Sequence, residues 1–218
     1  MDKSIQEKLR IIVGAAGVLL LIFWMYSSTD YLREKIVVNP VSYDRFDVVI
    51  LGDSITEGLG PDEGLDFVSL LRKETKVKIR NSGIRNDTTH DALERINQDV
   101  IAHDPDIAIV LLGGNDFIQR VPKEDTFSNL SNIIDTLVDE EIEVLLVGVP
   151  GGPWIDGYLE GFDTLAEDKE VYYLPNVLSG IIGRFKYMKD PLHPNNKGHK
   201  VIFERILPEL QTLLDLYY

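Results

Sequence analysis

The stretch DIAIVLLGGND, residues 106–116, sets six consecutive apolar side chains ahead of two glycines, an amide and a carboxylate. An unbroken apolar run of this length is the pattern of a strand buried on both sides of a parallel sheet. Upstream of it, Asp87 to His103 has helical spacing, with Ala92, Ile96 and Val100 four apart on one face. Downstream, SNLSNIIDTLVDEE (128–141) is helical again and leads into a second buried strand, IEVLLVGV (142–149). Further out, FDVVIL (46–51) reads as a strand ending at Gly52, and KVKIRN (76–81) alternates as another. VYYLP (171–175) makes a fifth strand. DFVSLLRKET (66–75) has helical spacing, and Lys197 to Leu214 closes the chain as an amphipathic helix. Strand–helix alternation of this kind predicts an α/β fold: a parallel sheet with helices on both faces, joined by right-handed crossovers.

Ligands of such sheets bind outside the carboxyl ends of the strands, so the residues just after each strand carry the functional reading. After the first comes Gly52-Asp53-Ser54-Ile55-Thr56, where a serine preceded by glycine can sit on a sharp turn with its hydroxyl exposed. After the second comes Asn81-Ser82-Gly83, whose glycine can bring a backbone N–H close to a ligand. After the third, Asn115 offers an amide donor. Near the C-terminus, Asp190-Pro191-Leu192-His193-Pro194 lets a carboxylate and an imidazole meet across one tight turn stiffened by two prolines. Each of these has an ordinary alternative, as a loop tripeptide, a turn glycine, an Asx-turn or a surface histidine. Together they supply a hydroxyl, a base, a carboxylate to orient the base, and donors for an oxyanion. Those are the requirements of acyl transfer.

Composition narrows the partners. The 218 residues carry a net charge of −14, which argues against binding a nucleic-acid backbone. Cysteine is absent, which removes disulfides, thiolate metal sites and a cysteine nucleophile. The sequence also lacks HExxH and EF-hand spacing, so no metal and no cofactor is expected. The acidic loop from Asp62 to Asp66 reads as solvated rather than calcium-binding.

The 19 residues from Ile11 to Thr29 are uncharged. As a helix they reach ~28 Å, close to the hydrocarbon thickness of a bilayer. Lys3, Lys8 and Arg10 precede the run, and Phe23, Trp24 and Tyr26 crowd its far end, as at a membrane interface. Residues 1–29 are therefore expected to be a single-pass signal anchor, 30–45 a tether, and 46–218 the functional domain, held outside the cytoplasm. A cleaved signal, leaving a secreted or periplasmic protein, is the alternative, although WMYSSTDY lacks a small-residue cleavage site.

The four blocks resemble those of the SGNH (GDSL-type) hydrolases. GDSIT at 52–56 is similar to the first family block, NSGIRNDTT at 81–89 to the second, GGND at 113–116 to the third and DPLHPN at 190–195 to the last. NDTTHDALERI, LLGGNDF, SNLSNIIDTL and HPNNKGHKVIFERI look like the bacterial arylesterase, acyl-thioesterase and lysophospholipase branch. The resemblance covers residues 46–214. It implies a flavodoxin-like three-layer α/β/α sandwich with a five-stranded parallel sheet, and metal-free catalysis. Ser54 would be the nucleophile, Asp190 and His193 would complete the triad, and Ser54, Gly83 and Asn115 would line the oxyanion hole. One position departs: the glycine usual three residues after Gly83 is Asn86, a residue that tolerates left-handed backbone.

The reaction so implied is hydrolysis of a small-molecule or lipid-like carboxylic ester. The competing readings are a carbohydrate or peptidoglycan O-acetylesterase and a non-catalytic envelope-binding module. Asp53 and Asp116 read as turn or cap residues. His90, His103 and His199 read as exposed helix histidines. Trp154 follows the fourth strand, where it either lines the substrate pocket or packs.

Overall fold

The computed structural model describes residues 44–150 and 157–217. The expected anchor, most of the tether and Trp154 lie outside the described residues. Among the described residues no helix is long and apolar enough to cross a membrane.

The elements run β1 (Val48–Gly52), α1 (Ser54–Glu57), α2 (Phe67–Thr75), β2 (Ile79–Gly83) and α3 (Thr89–Asp99), followed by a 3-10 turn at Ile101–His103. They continue with β3 (Ile107–Leu111), α4 (Gly114–Gln119), α5 (Lys123–Asp139), β4 (Glu143–Val147), α6 (Tyr158–Lys169), β5 (Tyr172–Leu174) and α7 (Asn196–Leu214). All five strands are parallel, in the order β2-β1-β3-β4-β5. Every residue of β1 and β3 is buried. Successive strand residues face opposite sides, so both faces of the sheet are covered. Helices α2 and α7 pack on each other, while α3 packs on α5 and α5 on α6. Burying a Val, Leu or Ile side chain is worth about 1.5–3 kcal/mol, and the central strands are built almost wholly of them.

The helix starts follow local chemistry. Thr88 and Asp91 form a reciprocal capping box at α3. Asp66 caps α2 and Asn195 caps α7. Helix α5 starts at Lys123 on Pro122, earlier than the apolar spacing from residue 128 suggests. Helix α6 is not apparent in the sequence, because Gly161 interrupts its pattern. In the fold that glycine lies against the Phe127 ring, where a Cβ would come within 2.6 Å of Cε2.

Two histidines correct the sequence reading. His199 is fully buried on the α7 stripe of Ile202 and Ile206, stacks on Phe67, and accepts the Phe67 N–H at Nδ1 over 3.3 Å. Burial pushes its imidazole down to about 4 and keeps it neutral. His103 is buried edge-on against Phe46, with Nδ1 3.0 Å from the Asp44 carbonyl. Only His90 is exposed as expected.

Candidate active site

The register levels Gly52 with Gly83 on one side and Leu111 on the other, so the chain leaves β1, β2 and β3 at one edge. Strand order reverses beside β1, since the next strand in sequence lies on one side of it and the third on the other. Crevices form at such a point.

Ser54 opens α1 there. Asp53 caps that turn, its Oδ1 accepting the Ile55 N–H at 3.0 Å, and Ser54 is left half-buried. His193 arrives on the loop before α7. Asn195 fastens that loop, donating to the Lys186 and Met188 carbonyls while its Oδ1 accepts from the Lys197 and Gly198 N–H groups. The Lys189 N–H adds a bond to the His193 carbonyl.

The structure brings the three expected side chains together. His193 Nε2 lies 3.2 Å from Ser54 Oγ, and Nδ1 lies 2.8 Å from Asp190 Oδ2 and 3.0 Å from Oδ1. With the Nδ1 proton directed at the carboxylate, Nε2 is the acceptor for the serine hydroxyl. Asp190 Oδ1 also accepts the N–H groups of Leu192 and His193, each at 2.8 Å. The imidazole bond foremost, and these two N–H bonds after it, hold the Asp190 carboxyl down at about 2.

Asn115 stands across from Ser54 on the first turn of α4. Its Nδ2 donates to the Asp87 carbonyl at 2.9 Å and makes a longer 3.4 Å contact with Asp53 Oδ2. Two neighbours hold this amide in turn. The Tyr158 hydroxyl donates to the Gly113 carbonyl at 2.7 Å, steadying a glycine whose φ of +106° few other residues accept. Asp116, fully buried, accepts both the N–H and the hydroxyl of Thr89, joining α4 to α3; it bridges two helices rather than capping its own.

Asp53 is buried, and that burial pushes its carboxyl up to about 6, against the Ile55 N–H bond and the nearby His193, which pull it down.

Gly83, expected in the oxyanion hole, ends β2 close against α1. Its N–H donates to Asn81 Oδ1 at 2.9 Å, and it does not line the cavity beside Ser54. A Cβ there would meet the Glu57 N at 2.2 Å, so glycine is required for β2 to end against α1. The cavity is lined instead by Asn86, whose φ of +67° is left-handed. The departure from the usual glycine had marked this position in the sequence.

Sequence reasoning also missed Arg95. Its guanidinium donates to Asp87 Oδ2 at 2.7 Å, to Asp99 Oδ2 at 2.8 Å, and to the carbonyls of Ser82 at 2.9 Å and Gly52 at 3.2 Å. One side chain thus ties the ends of β1 and β2 to the residue that holds Asn115.

The cavity has a volume of about 570 Å³, within the ~300–1,000 Å³ range of small-molecule sites. Its polar lining includes Ser54, His193, Asn86, Asn115, Asn176 and Ser179, and its apolar lining includes Phe117, Ile118, Leu159, Leu178, Ile182 and Leu192. Among the described residues no group of three or more His, Asp or Glu side chains could hold a metal ion.

A hydroxyl, an imidazole and a carboxylate in one hydrogen-bonded line, with an amide opposite, form the side-chain arrangement of serine-type acyl transfer. Residues 50–201 match the GDSL-like lipase/acylhydrolase family, and the chain belongs to that family. It is similar to an arylesterase of Vibrio mimicus, with 29% identity over 202 residues spanning 88% of this chain and 95% of the relative. It is also similar to thioesterase 1/protease 1/lysophospholipase L1 of Escherichia coli K12, at 25% identity over 77% of this chain and 85% of that one. The crystal structure of TesA superposes with a TM-score of 0.72 at 26% identity, covering 76% of this chain and 98% of the other. The chain is an ester-bond hydrolase.

Proposed function

We propose that Ser54, His193 and Asp190 hydrolyse carboxylic esters or thioesters with an apolar acyl or aryl part, through an acyl-enzyme. The hydrogen-bonded line from Asp190 through His193 to Ser54, opening on an apolar-lined cavity, carries this reading. His193 Nε2 takes the hydroxyl proton as Ser54 Oγ attacks the carbonyl carbon. Asp190 keeps the imidazole in the required tautomer and stabilises the imidazolium. The oxyanion is met by the Ser54 N–H, by Asn115 Nδ2, and by the Asn86 N–H in the place expected of Gly83. The long Asn115–Asp53 contact, near the limit of a hydrogen bond, is the one the oxyanion replaces. Collapse expels the alcohol or thiol, which leaves with the proton from Nε2. Water, activated by the same imidazole, then releases the acid and regenerates Ser54.

A panel of p-nitrophenyl esters and acyl thioesters of rising chain length tests this. The expected result is that kcat/KM rises from acetyl to octanoyl and that Ser54→Ala abolishes turnover in a folded protein. Preference for acetyl would favour the O-acetylesterase reading, and wild-type turnover by Ser54→Ala would refute the nucleophile.

In the same reading the domain works outside the cytoplasm, held to the membrane by residues 11–29. The uncharged run and the basic residues before it support this. Protease added to intact cells is expected to remove the domain while it fractionates with membranes. Free protein with a new N-terminus beyond the apolar run would show cleavage instead.

A further inference from the structure

The turn from Arg184 to Tyr187 combines features that the reaction does not use. Phe185 is 98% exposed, an unusual state for an aromatic side chain in water. The turn is nonetheless well fastened. The Tyr187 N–H donates to the Arg184 carbonyl at 2.8 Å, and the Asn195 N–H to the Tyr187 carbonyl at 2.8 Å. The Asn195 amide holds the Lys186 carbonyl at 3.1 Å. Phe185 therefore projects from a braced tip, on the loop that also carries His193.

Charge sets this segment apart. The chain has 36 acidic residues among 218 and a net charge of −14. Yet no acidic residue occurs between Glu170 and Asp190, while Arg184, Lys186 and Lys189 all do, and all three are exposed. Lys186 lies over the Tyr187 ring at 5.0 Å. On either side in the chain, Ile182 and Leu192 are exposed and also line the cavity. The segment that carries Phe185 thus also sets two exposed apolar side chains at the cavity.

We propose that this turn docks the domain onto an anionic lipid surface, Phe185 entering the interface while Arg184, Lys186 and Lys189 meet lipid phosphates. An aromatic ring flanked by basic side chains suits the headgroup layer, where rings settle and each basic residue strengthens attachment about fivefold. An acidic body would be repelled by such a surface everywhere else, so the patch also fixes orientation, with the cavity mouth toward the lipid. A protein partner with an acidic groove would meet the same charges. The exposed apolar side chains of Phe185, Ile182 and Leu192 beside those charges favour lipid.

The absence of cysteine makes the test direct, because Phe185→Cys in the full chain creates a single labelling site. Val138→Cys, on an exposed residue of α5 just before β4 and so at the opposite edge of the sheet, serves as control. Each protein carries an environment-sensitive fluorophore and is reconstituted into phosphatidylcholine vesicles with or without phosphatidylglycerol, with brominated acyl chains as quenchers. The label at 185 should shift to the blue and be quenched in the anionic vesicles, at least fivefold more than in the neutral ones, while the label at 138 stays water-like. Adding Arg184→Gln and Lys186→Gln should remove most of that quenching. A water-like label at 185 in both lipids would overturn the proposal and leave the turn to a protein partner. Equal quenching in neutral and anionic lipid, or equal quenching at 138, would overturn it too. None of these readouts requires hydrolysis, so they stand apart from the outcome of the ester panel.

Discussion

Asn86 and Asp53 show how single positions set the chemistry. A left-handed backbone costs a residue with a Cβ about 1–2 kcal/mol, and Asn86 adopts it at φ +67° on the cavity wall. Asn86→Gly should therefore keep or raise both stability and kcat. Asn86→Ala should lower stability by about 1 kcal/mol and reduce kcat as the N–H moves. Chemical unfolding and ester hydrolysis on both variants check this, and identical behaviour would remove Asn86 from the oxyanion site. For Asp53 the sign follows from its raised carboxyl. Between about pH 4 and 6 the folded state holds a proton that the unfolded chain has released, so stability falls as pH rises through that window and is level above it. The stability of the wild type relative to Asp53→Asn should decline across it, as denaturant unfolding at stepped pH would show. Parallel curves would contradict the assignment.

At the scale of elements, Arg95 on α3 holds the site's frame. It is the shared donor to Asp87, Asp99 and two strand-end carbonyls. Removing one partner from such a network leaves charges and carbonyls unmatched, at a cost of about 3 kcal/mol. Arg95→Leu should lose that much stability and, through Asp87 and Asn115, lower kcat more than it raises KM. Arg95→Lys should recover little, since an ammonium cannot span four acceptors in a plane. Full activity in Arg95→Leu would show that Asn115 needs no such support. The helices also mark where sequence reading stops. The strands were legible because doubly buried runs such as IAIVL have no other plausible home. Ser54, Asn115, Asp190 and His193 were legible because they follow strand ends or lie within one turn. Helix α6 was hidden by Gly161. The burial of His199 was hidden because its partner, Phe67, lies 132 residues away, although its place on the stripe of Ile202 and Ile206 was a readable signal. The packing of Gly83 was hidden for a related reason. Gly83 serves the contact between β2 and α1, a tertiary demand that no local pattern encodes.

For the whole molecule, the parallel sheet brings a hydroxyl from the front of the domain to an imidazole 139 residues later. The loop presenting the imidazole also presents the basic aromatic turn. The proposed catalytic line and the proposed docking turn therefore share one loop. The proposed chemistry turns on Ser54 as the nucleophile, made reactive by His193. A fluorophosphonate probe followed by peptide mass mapping tests it most directly. A single adduct on Ser54 is expected, forming rapidly in the wild type and at least a thousandfold more slowly in His193→Ala. An adduct on another residue, or none while ester hydrolysis continues, would contradict it.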